Sequence, residues 1–387
     1  MVAGVSNARD ARDAGVAPAR GDRLASQPML LPPIAYLAWA RRFYGQVDCD
    51  LATSGVRTIA CDTLAALAGS APPRPDDAGA PARFRSAIAA RYGVPEGEVV
   101  PCLGTSGALF TTYAAALAPG DEVLVESPTY EPMAAVARGL GLAVRSFARR
   151  PDFGVDPEAV LAALGPATRV VTLADPHNPS GVCLGDEVLA ALARALDARG
   201  VALLVDEVYR ERVTPGRTAR RHGPNVWAVS SLTKCFGLGW ARAGWAILPE
   251  AIAAHAGDVN AHVAGELPPA HAAHGAWALG AVEALAREVE RRQAGSLEHV
   301  EAFLRRHAGA LAWSQPAPGV SFGVISARDP ARAWSRATLE AGIASERVIV
   351  APGEFFGAPG AVRVSFTAPA DVVRDGLERL ERVLGLG

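Results

Sequence analysis

RVVTLADPHNPSG (Arg169–Gly181), VALLVDEVY (Val201–Tyr209) and VWAVSSLTK (Val226–Lys234) decide the fold. Each opens as a short apolar run rich in Val, Leu and Ala and closes in polar or turn residues. The opening runs, Arg169–Ala174, Val201–Asp206 and Val226–Ser230, read as strands, and the stretch Asp186–Arg199 between the first two reads as a helix. Strands that alternate with helices need crossover connections, so they build a mainly parallel sheet covered on both faces. Ligands bind such a sheet at the carboxyl ends of its strands, where the polar closings fall. NPSG alone is an ordinary turn, and DEVY alone is an ordinary strand end. Taken together, Asn178, Asp206 and Lys234 stand 28 residues apart in turn, which is too regular for accident.

The same alternation extends outward. Glu122–Glu126, Ala143–Phe147 and Gly244–Leu248 are strand-like, and Glu131–Leu140 and Pro157–Leu164 look helical. Upstream, an amphipathic helix is expected over Ile34–Phe43, a Pro, Asp and Gly-rich loop over Ala71–Ala80, and a helix over Ala82–Tyr92 stopped by Gly93. Downstream, a long helical region is expected from about Gly275 to His307. Val320–Ile325, a helix, Val362–Thr367 and a final helix then read as a smaller α+β domain. The first 28 residues alternate Ala, Arg, Asp and Gly, are no secretory signal, and read as a mobile extension reaching to residue 31. The segment 32–75 is expected to join the small domain and cover the site. Residues 76–280 form the expected large domain, and 281–387 the small C-terminal one.

Half of the 387 residues are apolar and the formal net charge is −2, the balance of a soluble globular chain without the basic field of a nucleic-acid binder. No apolar run approaches the length of a membrane span. Cys49, Cys61, Cys102, Cys183 and Cys235 are odd in number and show no CxxC pairing. That argues for reduced thiols in the cytoplasm, and against a disulfide framework or a zinc site. Cys235 reads as a small packed residue. His262, His271 and His274 lack the carboxylate companions of a metal site, so no metal is expected.

Of 38 basic residues, 37 are arginine and one, Lys234, is lysine. A coding bias that replaces Lys by Arg wherever a surface cation serves is a plain explanation, and survival of one lysine by chance is the bland alternative. What survives such a bias is a position where guanidinium cannot serve, and the difference that matters is proton loss: a crowded or buried amine gives up its proton, and arginine does not. A neutral amine attacks carbonyls to form Schiff bases. A further site precedes the three strand ends: Leu103, Gly104, Thr105, Ser106 and Gly107 open a helix running to Leu117. Free amides and the helix dipole suit a phosphate there, although a hydroxyl before an apolar helix is more often a simple cap.

The ordered set GTSGAL, SPTY, DPHNPSG, DEVY, SLTKCFGLGWAR and the late RVSF resembles the pyridoxal-phosphate (PLP) enzymes of fold type I, the class I/II aminotransferases. The resemblance runs from about Pro32 to the C-terminus and implies a seven-stranded, mainly parallel sheet flanked by helices, with a smaller C-terminal domain. It also implies roles for individual residues. Lys234 would hold PLP as a Schiff base and then move the substrate's Cα proton. Asp206 would pair with the pyridine nitrogen, Tyr209 and Asn178 with the ring oxygen, and Tyr130 with the ring face. Gly104, Thr105 and Ser106, with Ser231 and Arg242, would hold the phosphate. Arg363, with Asn178 beside it, would bind the substrate's α-carboxylate, a task that suits a planar fork of donors. The partners implied are an amino acid and a 2-oxo acid, in a cytoplasmic homodimer.

The chain departs from the family in places. The loop RPDDAGAP lacks the Tyr that often reaches the partner subunit's phosphate, which leaves Arg74 or no residue in that role. Asp50–Ile59 does not look like the opening of the best-known aminotransferases. A lyase, decarboxylase or cyclase using the same cofactor site therefore stays open beside transamination. A PLP-binding transcription regulator does not, because the 31 Ala- and Gly-rich residues before Pro32 cannot form a DNA-binding domain. Side-chain specificity is expected to lie with Ala52–Thr58, Trp240 and Phe355–Phe356, and His177 is a further candidate for substrate contact. The scarcity of charge there leans toward a neutral substrate.

Overall fold

The structure, a computed structural model, describes residues 31–265 and 267–386. All but the last residue of the expected N-terminal extension, 1–31, lies outside them. After a helix over Ala35–Phe43 and a two-residue strand β1 (Cys49–Asp50), seven strands make the main sheet. They are β2 (Val99–Leu103), β3 (Glu122–Ser127), β4 (Ala143–Ala148), β5 (Thr168–Ala174), β6 (Ala202–Asp206), β7 (Val226–Ser231) and β8 (Ala243–Ile247). Their order is β2-β8-β7-β6-β5-β3-β4. Strands β3 to β7 are mutually parallel, and β8 alone runs against its neighbours β2 and β7.

The central strands are buried on both faces, which is why they read as nearly continuous apolar runs rather than alternating ones. Successive residues still face opposite sides of the sheet. Val123, Val125, Leu204 and Val229 join one core, beneath the helices Gly104–Ala116 and Glu250–Ala264. Leu124, Leu203 and Val205 join another, beneath the helix Asp186–Asp197. A third core packs Phe84 and Ile88 of the helix Ala80–Tyr92 against Trp245 and Ile247 of β8.

Farther along the chain, β9 (Leu311–Trp313), β10 (Phe322–Ala327), β12 (Ala351–Pro352) and β13 (Ala361–Ser365) form an antiparallel sheet in the order β12-β13-β10-β9. The short strand β11 (Val348–Ile349) pairs in parallel with β1, so residues near Cys49 join the C-terminal part of the fold. Leu51, Val300, Phe303 and Val364 share its core.

Most expected elements are present within a residue or two. The strand β2 and the helix Cys61–Ala68 were not expected, and two further regions differ. The helical region expected over Gly275–His307 is broken into Pro269–Gly280, Val282–Gln293 and Ser296–Arg306. The second break falls at Gly295, which takes a left-handed φ of 82° that ends an α-helical run. The helix Glu250–Ala264 was not expected at all, because its apolar face is narrow and alanine-rich.

Candidate active site

Every parallel strand delivers its last residues to one edge of the main sheet. There β5 ends before Asp175–Gly181, β6 ends at Asp206, and β7 runs into Ser231 and the short helix Leu232–Cys235 that carries Lys234. Because β8 runs the other way, its start lies at this edge too, and it brings Arg242. Arg242 itself has a left-handed φ of 48°. Gly104 and Gly244 are in such close contact that a Cβ on Gly244 would strike the Gly104 backbone, so only glycine fits there.

The edge encloses a cavity of about 270 Å³. Nine of the sequence-predicted residues line it: Thr105, Ser106, Tyr130, Asn178, Asp206, Tyr209, Lys234, Arg242 and Arg363. Gly104 and Ser231 stand just behind the lining. Ser231 Oγ accepts a bond from Thr105 Oγ1 at 2.9 Å and shares one with Thr233 Oγ1 at 2.7 Å.

Arg363 is 1 % exposed. It donates to Asn178 Oδ1 (2.7 Å), Tyr36 Oη (2.8 Å) and Ala52 O (2.7 Å). Its Nε has no partner, and no carboxylate of the described residues pairs with it. A buried guanidinium held only by neutral groups is short of one anion. Asn178 gives its carbonyl oxygen to Arg363, which leaves its amide protons for the cavity.

Burial pushes the Asp206 carboxyl up to about 7, Glu126 adds to the rise, and the Val208 amide and the Lys234 amine oppose it. The Lys234 amine goes the other way, down to about 8, through burial first and then the cations Arg363 and Arg242, against the pull of Asp206. At pH 7 about a tenth of it is therefore free base, against less than about a thousandth at the ordinary lysine value. Lys234 lines the cavity and also a small pocket beside it. Behind the lining, Glu126 and Arg149 form a wholly buried ion pair at 2.6 Å. Glu126 also accepts the amide of Ala174, the residue paired with Asp206 across the sheet.

The donor set fits PLP. Hydroxyls and free amides at the start of the helix Gly104–Ala116, with Arg242, suit a phosphate. A buried carboxylate suits a protonated ring nitrogen, a phenol and an amide suit a ring oxygen, and a neutral amine suits an aldehyde.

Other candidates fall elsewhere. His177 is buried and bonds Ser180 Oγ (2.7 Å) and Pro128 O (2.9 Å), so it braces a turn instead of facing the cavity. Arg74 is exposed and pairs with Asp76 at 2.8 Å. Cys235 is buried, with Sγ 3.2 Å from Val208 O, as a packed residue should be. Of the expected specificity segments, Thr53 and Ser54 line the cavity, whereas Trp240, Phe355 and Phe356 do not. Sequence reasoning missed Tyr36 and Tyr44, whose hydroxyls lie 2.9 Å apart at the Arg363 end. Tyr36 sits on an expected amphipathic helix, where an aromatic reads as core. It also missed the pair Glu126–Arg149, whose members look like ordinary strand-end charges.

A mainly parallel seven-stranded sheet with this cavity at its carboxyl edge defines a fold type I PLP enzyme. The profile described as aminotransferase class I and II matches residues 77–380. The chain belongs to that family and is a PLP-dependent enzyme of the transaminase class. It is 33% identical to the aspartate/prephenate aminotransferase of Thermus thermophilus over 329 residues, covering 78% of this chain and 81% of the relative. It is 27% identical to the capreomycidine synthase of Streptomyces vinaceus over 397 residues, covering 94% and 96%. The solved structure of the PLP-dependent cyclase OrfR superposes with a TM-score of 0.80 at 24% identity, covering 96% and 100%. Among the described residues no helix is long and apolar enough to cross a membrane.

Proposed function

We propose that the chain moves the amino group of an L-α-amino acid to a 2-oxo acid, with one cavity serving the two half-reactions in turn. What carries the reading is one pairing: a lysine amine lowered to about 8 shares a cavity with a buried guanidinium lacking a carboxylate partner among the described residues. When bound, PLP supplies an electron sink beside the substrate Cα. Arg363 takes the α-carboxylate and fixes the Cα against Lys234. Lys234 Nζ would remove the Cα proton and redeliver it, work for which a base near neutrality is best matched. With the cofactor bound, Asp206 would keep the ring nitrogen protonated, and Tyr209 and Asn178 would hold the ring oxygen. Thr105, Ser106, Ser231 and Arg242 would anchor the phosphate, and Tyr130 would cover the ring.

A second reading, an intramolecular cyclisation on the same cofactor, is favoured by one observation. The capreomycidine synthase aligns over 94% of the chain, whereas the aspartate/prephenate aminotransferase aligns over 78%. One experiment separates the two. The holoenzyme is mixed with single L-amino acids and no 2-oxo acid, and cofactor absorbance and products are followed together. Transamination consumes one equivalent of amino acid per site, releases a 2-oxo acid and stops until a second 2-oxo acid is added. Repeated turnover without an acceptor, with a ring-closed product by mass spectrometry, would refute it in favour of cyclisation.

We further propose that residues 76–280 bind the cofactor, that 32–75 join 281–387 in a smaller domain, and that two copies pair in the cytoplasm. Exposure of Ser106, Arg242 and Trp240 supports the pairing, and sedimentation of the holoenzyme tests it.

A further inference from the structure

The phenol of Tyr209 is fixed from two sides. Its ring meets Phe322 edge-on with centroids 4.7 Å apart, and its hydroxyl lies 2.7 Å from Ser54 Oγ. Ser54 is buried and lines the cavity. It belongs to an irregular run, Leu51–Ala60, held on both sides of Ser54. Before it, the Asp50 carboxylate accepts the amides of Ala52 and Thr53, each at 2.9 Å, and the Thr53 hydroxyl at 2.6 Å. Thr53 O in turn accepts Ser365 Oγ at 2.6 Å. After it, the Val56 amide donates to Lys234 O at 2.9 Å. A Cβ on Gly55 would come within 3.1 Å of Lys234 Cδ. Ser54 is thus set in place by its own backbone.

Two hydroxyls share this bond, and each has one proton. If Tyr209 donated to Ser54, its oxygen would offer the cavity lone pairs alone. If Ser54 donates, Tyr209 keeps its proton for a ligand. Ser54 Oγ has no other hydrogen-bond partner among the described residues, so its proton is available. We propose that Ser54 is a positioning residue: it donates to Tyr209 Oη and thereby turns the phenol's own proton toward the ring oxygen of the bound cofactor. This rests on the reading of Lys234 and Tyr209 given above.

The charged and titratable groups around Tyr209 are Arg363, Tyr130 and Asp206, with Lys234 lining the same cavity and Arg212 and Cys235 a small pocket beside it. All are unchanged by a substitution at Ser54. A phenol that itself accepts a hydrogen bond is a stronger donor. It therefore favours the unprotonated ring oxygen and lowers the pH at which the cofactor's visible absorbance changes.

The test is a pH titration of that absorbance in the PLP-loaded full chain. Ser54→Ala should raise the midpoint by about half a unit, the loss of one neutral hydrogen bond, and Ser54→Thr should restore it. On a Tyr209→Phe background, Ser54→Ala should produce no further shift. A midpoint equal in wild type and Ser54→Ala, or an undiminished shift on the Tyr209→Phe background, overturns the role of Ser54 while leaving the cofactor reading intact. Absence of any cofactor band in the wild type overturns both.

Discussion

Replacing Arg363 by methionine should separate stability from amino-acid binding. The guanidinium is 1 % exposed and rests on the faces of Tyr36, Phe322 and Phe356, at 5.4, 5.5 and 4.8 Å from the ring centres. Desolvating such a cation costs several kcal/mol, while each hydrogen bond from it returns about 1.5–3 kcal/mol, so the two nearly cancel. Methionine keeps most of the apolar stem and removes the charge. It leaves Asn178 Oδ1 and Ala52 O without this donor, while Tyr36 Oη still shares a bond with Tyr44. Asn178 Oδ1 left unpaired, and Ala52 O left with only a 3.5 Å bond from Tyr36 Oη, cost about 1–3 kcal/mol each at most, against several recovered from the buried cation. Unfolding free energy of the apo chain should therefore move by no more than about 2 kcal/mol. Binding has no such offset. A bidentate carboxylate–guanidinium contact in a buried site is worth about 3–4 kcal/mol, or about 10²–10³-fold in affinity. Denaturant unfolding of the apo chain reads the first quantity, and titration of the holoenzyme's absorbance with a reactive amino acid reads the second. Amino-acid dependence within a factor of about 3 of wild type, with cofactor bound, would refute the carboxylate assignment.

Lys234→Met should abolish turnover, by about 10³-fold or more, and should also change how the apo chain responds to pH. Between about 8 and the ordinary lysine value of about 10.4, the folded amine is neutral and the unfolded one protonated. Unfolding then takes up a proton, so wild-type stability rises with pH across that window; the methionine variant should lose this rise, as urea midpoints measured at several pH values would show. Arg242→Met removes one of the cations that lower Lys234. Its amine should titrate higher, and PLP capture at neutral pH should slow, as followed by stopped-flow absorbance. Arg149→Met strands the wholly buried Glu126 and should destabilise the fold by about 3–5 kcal/mol in denaturant unfolding.

What the sequence made legible follows from the geometry of a parallel sheet. Strands β5, β6 and β7 lie side by side and end at one edge. Asn178, Asp206 and Lys234 were therefore brought together by a pattern of apolar run, polar end and crossover that can be read locally. Arg363 was found differently, through the late RVSF run, and its distance in sequence from Asn178, 185 residues, gives no local sign that the two bond. The unread part of the site is of that second kind throughout. Tyr36 reaches Arg363 across 327 residues and Ser54 reaches Tyr209 across 155. Both come from a segment held by scattered distant contacts: Glu131 accepts the amides of Ala35 and Tyr36, and β1 pairs with β11 over only two residues. Periodicity cannot announce so short a pairing.

That division bears on chemistry as well as on legibility. The groups proposed to hold the cofactor come almost wholly from the main sheet's edge, where the fold dictates what can stand. The groups that flank the Arg363 end, Tyr36, Tyr44, Thr53 and Ser54, come from the run between residues 36 and 54. This same run starts before residue 77, where the family match begins. Lys234, Asp206 and Tyr209 serve several reactions equally well, so discrimination among amino acids, and between transfer and cyclisation, has to come from groups around the substrate. Exchanging residues 36–53 with those of a relative, with Ser54 and Gly55 kept, should then change which amino acids react while leaving cofactor binding in place. Loss of the cofactor band with unchanged substrate preference would reverse the assignment and make this segment part of the cofactor site.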